Sequence, residues 1–134
     1  MCVIVYKSAD KIVSKKQLLN CWKANPEGAG FMWSDGNSLF IEKGFFRFRK
    51  LYRSFRQIEQ VNPNSAFIVH FRKASVGSIN KDNCHPFYFK NHRFGFAHNG
   101  TLTDWIVSKE DVQSDSINFT NKLLEKLPED FDKN

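Results

Sequence analysis

Cys2 is the second residue of the sequence, in the segment MCVIVY. Removal of Met1 leaves it with a thiol nucleophile and an α-amine on one carbon skeleton. A thiol pKa of about 8.5 and an α-amine pKa of about 7.7–8.0 are closely matched, so the amine can take the thiol proton directly or through one water. One residue then supplies both nucleophile and base. With Met1 retained, that nitrogen is an amide and the base is blocked. The plain alternative is a small apolar residue opening a strand.

Three further segments carry side chains suited to the same kind of chemistry. In Phe71 to Ser75, FRKAS, an arginine at a strand end is followed by a small hydroxyl residue. Arg72 there suits bidentate capture of a carboxylate, with Ser75 beside it, although a solvated surface arginine is the commoner case. In Phe96 to Gly100, FAHNG, the Asn99-Gly100 pair reads either as a simple turn or as an oxyanion hole. The second reading joins the Asn99 amide and the Gly100 N–H on one developing charge, and glycine allows close approach of the backbone. Asp115 opens the last helix, as a cap or as a counter-charge for an ammonium group. Cys84, His85, His92 and His98 lack paired metal-ligand spacing, so no metal site and no cofactor is expected.

The elements that must position these residues follow from periodicity. Cys2 to Tyr6 is β-branched and aromatic and reads as a buried strand. Ser14 caps a helix through Leu18, Leu19 and Trp22, which Asn25-Pro26 ends. Gly30 to Trp33 and Ser38 to Phe45 form a hairpin about a Ser-Asp-Gly-Asn turn. Leu51, Phe55 and Ile58 set the inner face of a helix from Arg49 to Val61, and Ala66 to Phe71 is a further strand. A second hairpin runs from Phe87 to Ala97, turning at Asn91-His92. A helix after Ser114 buries Ile117, Leu123, Leu124 and Leu127. Strands and helices mix without regular β-α-β alternation, which indicates an α+β fold with largely antiparallel sheet.

A chain of 134 residues forms one domain, 1–134, around one core rich in its 14 phenylalanines. The N-terminus lacks the pattern of a secretory signal, and no apolar run approaches the roughly 18 residues that span a bilayer. Three widely spaced cysteines do not make a disulfide framework, so a reducing cytoplasmic setting is expected. The net charge of +6 favours anionic partners, and GFFRFRKLYRSFR interleaves cations with aromatics, as a phosphate- and base-contacting surface or, in the commoner case, as a helix with its apolar face inward and its basic face solvated.

Taken in order, MCVIVY, GAGFMW, HFRKASVG, NCHPF, FAHNG and QSDS resemble the glutaminase domain of class II glutamine amidotransferases, which are N-terminal-nucleophile hydrolases. HFRKASVG, NCHPF and FAHNGTL look most like the stand-alone branch that includes the γ-glutamyl amidohydrolase of ergothioneine synthesis. The resemblance implies an αββα sandwich of antiparallel sheets. Family domains run beyond the helix where this sequence stops, so an incomplete second sheet is expected. It implies that Cys2 attacks the γ-amide of glutamine, or of another γ-glutamyl amide, and forms a glutamyl thioester. Arg72 would hold the substrate α-carboxylate with Ser75 lining the pocket, Asn99 and Gly100 would stabilise the oxyanion, and Asp115 would bind the α-amine. His85 and His98 are expected to shape loops. Ammonia would pass to a separate acceptor or synthetase subunit. Two positions depart from the family pattern: Val3 follows the nucleophile where glycine is usual, and Ile117 replaces the usual glutamate after Ser116. The reading from a different class is a non-catalytic relative that binds nucleic acid or a protein through its basic surface.

Overall fold

The computed structural model describes residues 1–106 and 112–133. Four strands, β1 (Val3–Lys7), β2 (Ala29–Ser34), β3 (Leu39–Phe45) and β4 (Phe67–Phe71), pair antiparallel in the order β1-β4-β2-β3. Side chains alternate across a strand. Phe31, Phe67, Val69 and Phe71 therefore share one face, where they meet Leu18, Leu51 and Phe55 from two helices. The Phe31 ring stacks on Phe45 and meets Phe55 edge-on. Fully buried aromatics of this kind are worth about 1.5–3 kcal/mol each in transfer alone.

Those helices are α1 (Lys15–Ala24) and α2 (Phe48–Val61). Ser14 begins α1 through a capping box in which its hydroxyl accepts the Gln17 N–H while Gln17 accepts the Ser14 N–H. The opposite sheet face, with Gly30, Met32, Ile68 and His70, looks toward a second sheet. That sheet is the antiparallel pair β5 (Phe87–Phe89) and β6 (Phe94–Phe96). A Cβ at Gly30 would overlap the His85 carbonyl oxygen, so only glycine admits the chain there. Tyr88 anchors the hairpin to β3 by donating to Leu39 O at 3.3 Å and accepting the Ile41 N–H at 2.8 Å. Helix α3 (Asp115–Lys122) packs against β5. The layers run helices, four-stranded sheet, two-stranded sheet, helix: an α+β fold in the αββα order, with two strands in its second sheet.

Two expectations need correction. The first strand is a half-buried edge rather than a buried strand, because β1 pairs only with β4 and leaves Tyr6 67% exposed. The last helix does not bury an apolar stripe. It turns Asp115, Ser116, Asn118 and Thr120 inward and ends at Lys122. A 3-10 turn at Leu124–Lys126 then takes the leucines out of helical phase, with Leu123 exposed and Leu124 and Leu127 only half-buried. Among the described residues no helix is long and apolar enough to cross a membrane.

Candidate functional site

Strand alternation carries Cys2 to the face shared by Ile4 and His70, which is the side of the second sheet. The half-buried thiol lies against the main chain of Lys73: Sγ accepts the Lys73 N–H at 3.3 Å and donates to Lys73 O at 3.4 Å. Met1 stands in solvent, 93% exposed. Val3 pairs with Phe71 in the sheet.

Arg72 is not a solvated surface arginine. It is only 3% exposed, and its guanidinium donates to the carbonyls of Ser78 at 2.8 Å, Val76 at 2.9 Å and Gly77 at 3.4 Å. Five donors on a guanidinium leave part of the fork uncommitted after these contacts. Burial pushes its pKa down from the ordinary range, opposed in decreasing effect by Cys84, Cys2, Glu27 and Asp115. The same residue therefore lies within electrostatic reach of both Cys2 and Asp115. Its backbone is held from the other side, since Arg72 N donates to Gly28 O at 2.8 Å and Glu27 N to Arg72 O at 3.1 Å. The Glu27 carboxylate accepts the Ala74 N–H.

Beyond β6, Asn99 and Gly100 form an exposed loop. Gly100 has φ +106°, a conformation that L side chains rarely adopt, while a Cβ there would meet nothing. Backbone conformation, not space, requires glycine. The peptide just before this loop is gripped on both sides: His85 Nδ1 accepts the His98 N–H at 3.3 Å, and His70 Nε2 donates to His98 O at 3.2 Å. His98 Nδ1 donates to Asn99 O at 2.9 Å, and its Nε2 meets the Ser116 hydroxyl, also at 2.9 Å. The His70 and His85 rings stack with centroids 4.0 Å apart. Burial pushes the His70 pKa down to about 4 and that of His85 well below the ordinary range, so both rings are neutral. His85 and His98 thus make hydrogen bonds within and beside this loop, with a third imidazole, His70, behind them.

Asp115 is 5% exposed at the first turn of α3, where Ser114 caps the helix. Its Oδ2 accepts the Leu102 N–H, tying the loop after Gly100 to the helix. Ser75 Oγ lies 3.2 Å from Thr101 Oγ1, joining the Arg72 segment to the same loop. Asn83, 1% exposed, clamps the arrangement from beneath. Its Nδ2 donates to Ser78 O at 2.8 Å and Val112 O at 2.6 Å, and its Oδ1 accepts the Ser114 N–H at 2.7 Å. Cys2, Arg72, Ser75, Asn99, Gly100 and Asp115, drawn from four separate segments, are thereby linked in one region. Sequence reasoning missed His70, Asn83 and Glu27. Only the placing of Asn83 inside the NCHPF motif and of His70 at the head of HFRKASVG hinted at the first two.

Clefts elsewhere have a different character. One of about 350 Å³ lies between β3, β5 and α3 and includes Lys43, Phe87 and Ile117, and one of about 590 Å³ lies at the two hairpin turns. Neither is lined by Cys2, Asn99 or Asp115. Among the described residues no group of three or more His, Cys, Asp or Glu could hold a metal ion.

Residues 49–131, well over half the chain, match the family described as class-II glutamine amidotransferases, and the chain belongs to that family. The match contains Arg72, Ser75, Asn99, Gly100 and Asp115; Cys2 precedes it. The chain is also similar to the uncharacterized protein MJ1515 of Methanocaldococcus jannaschii, with 32% identity over 122 residues. That similarity covers 86% of this chain and 33% of the relative, so the chain spans about a third of the length of the curated relative it matches. No solved structure matches.

Proposed function

We propose that the chain is a glutamine amidohydrolase that works through Cys2 once Met1 is removed. The observation that carries this reading is the set of bonds that ties the four segments together: Cys2 to the Lys73 main chain beside Arg72, Ser75 to Thr101 beside the Asn99-Gly100 loop, and Asp115 to the Leu102 N–H. The freed α-amine takes the thiol proton, and the sulfur attacks the γ-carboxamide carbon of glutamine or another γ-glutamyl amide. The carbonyl oxygen becomes an oxyanion opposite the Asn99 amide and the Gly100 N–H. Collapse breaks the C–N bond, the ammonium of Cys2 returns its proton to the departing nitrogen, and ammonia leaves. Water then cleaves the glutamyl thioester, giving glutamate and the free thiol. Glutamine and water become glutamate and ammonia.

Arg72 and Asp115 read the two ends of the substrate. An N–H of Arg72 beyond those held by the Val76, Gly77 and Ser78 carbonyls takes the α-carboxylate, with Ser75 nearby in the sequence, and the second oxygen of Asp115 takes the α-ammonium. An analogue lacking either group leaves a charge unpaired, which is the basis of discrimination against simple amides. The two buried histidines that grip the His98 peptide keep the oxyanion loop in place without moving a proton. The ammonia passes to an acceptor enzyme or synthetase subunit.

The experiment is ammonia release from glutamine by protein beginning at Cys2, set beside Cys2→Ala. Release by the native chain and none by the variant is the expected result. Equal rates, or no release and no glutamyl thioester from correctly processed native protein, would overturn the reading.

A further inference from the structure

The net charge of the chain is concentrated in one layer. Residues 15–24 and 47–61, which comprise α1, α2 and Arg47, hold eight of the 20 Lys and Arg but one of the 14 Asp and Glu. The remaining residues hold 12 cations against 13 carboxylates. The single acidic residue of the layer, Glu59, is buried and paired with Arg56 and Lys7, so it does not offset the outer surface. Helix α1 presents Lys15, Lys16 and Lys23 to solvent, and Arg47, Arg49, Lys50 and Arg53 are exposed at and after the start of α2. None of the seven has a carboxylate partner among the described residues.

A solvated surface commonly intersperses both signs of charge. This one works against its own helices. Neither helix has an acidic residue in its first turn, and Lys15, Lys16, Arg49 and Lys50 sit where the macrodipole disfavours cations. Arg49 and Arg53 are also like charges at i,i+4. Local rules broken with one compensating contact inside the fold, the Lys15 ammonium over the Tyr52 ring at 5.1 Å, mark a surface kept for a partner. In the seam between the helices Trp22, Phe48 and Tyr52 form a half-buried aromatic row.

We propose that the outer face of α1 and α2 binds the phosphate backbone of a nucleic acid. Guanidinium groups bind phosphate oxygens bidentately, and those of Arg49 and Arg53 are exposed one turn apart on α2, about 6 Å given 1.5 Å per residue. The aromatic row offers stacking surface beside them, the combination that holds nucleic acid without reading its sequence. This face is built on the side of the four-stranded sheet opposite the second sheet and Cys2, and the proposal stands apart from the amidohydrolase reading.

The test is fluorescence anisotropy of a labelled oligothymidylate and a labelled short duplex with the whole protein, between about 50 and 200 mM salt. Five engaged phosphates give log-log slopes of about −3.5 for the single strand and −4.5 for the duplex, hence affinity losses of about 100- and 500-fold over that range. The triple variant Arg49→Gln, Lys50→Gln, Arg53→Gln should flatten the slope by about 2–3. It should keep its circular dichroism, with an unfolding midpoint unchanged or raised. Lys122→Gln, Lys126→Gln, Lys133→Gln removes the same charge from exposed positions on the other side and should leave most of the slope in place. Failure of both probes to bind at the lowest salt would overturn the proposal, as would equal losses in the two triple variants. Partition onto phosphatidylserine vesicles with neither oligonucleotide bound would assign the face to a membrane surface instead, and would equally overturn it.

Discussion

Replacing Asn83 with alanine should destabilise the fold by about 2–5 kcal/mol, the sum of the hydrogen bonds it makes. The Ser114 N–H, at the cap of α3, loses the Asn83 Oδ1 that lies 2.7 Å away. An orphaned buried donor costs about 1–3 kcal/mol. The two carbonyls served by Asn83 Nδ2 fare better. Ser78 O keeps the Arg72 guanidinium, and Val112 O keeps the Ser78 N–H and hydroxyl, so each loses one net hydrogen bond of about 0.5–1 kcal/mol. Urea unfolding followed by tryptophan fluorescence reads the sum directly, and a melting midpoint lower by roughly 10 °C should accompany it. Asn20→Ala, on the exposed face of α1, is the control and should stay within about 0.5 kcal/mol of the parent. Because Asn83 braces both the Arg72 turn and the start of α3, surviving folded protein should also show a raised KM for glutamine. A stability loss below about 1 kcal/mol would refute the reasoning, since it would mean that Asn83 is not the clamp between these segments.

Other expectations follow from the same geometry. Asn99→Ala should lower kcat by about 10²–10³-fold with little change in KM, read by steady-state ammonia release. Asp115→Asn should lower kcat/KM for glutamine by about 10–150-fold, while amides without an α-amine should be far less affected. His70 has its folded pKa lowered to about 4, below an unfolded value of about 6.5. The unfolded chain therefore takes up the extra proton between those values. Stability is complete above about 6.5 and falls toward pH 4, by about 3 kcal/mol for this group alone. Unfolding midpoints measured across that range should fall less steeply with acidity in His70→Gln, which removes the titrating ring.

The first two-thirds of the fold was legible because local signals agreed there with the tertiary outcome. Ser14, the Ser-Asp-Gly-Asn turn and the i, i+4, i+7 spacing of Leu51, Phe55 and Ile58 each marked an element within a residue or two of where it stands. The last helix was read by hydrophobicity, which failed because its inner face is occupied by Ser116, Asn118 and Thr120, bonded to His98, Trp105 and each other. A polar face buried for positioning has no periodic apolar signature. The same limit explains Asn83 and His70, whose importance lies in contacts 28 to 31 residues away along the chain. Arg72 was visible as a residue of interest, but its burial was not, since a strand-end arginine followed by lysine reads as surface.

The most direct test of the central claim is peptide-mapped mass spectrometry after treatment with 6-diazo-5-oxo-L-norleucine, a glutamine-derived electrophile. The expected result is a chain that begins at Cys2 and carries one adduct, on that residue, with protection by excess glutamine. A chain that begins at Cys2 and remains unmodified, or one modified instead at Cys21 or Cys84, would contradict Cys2 as the nucleophile of a glutamine site.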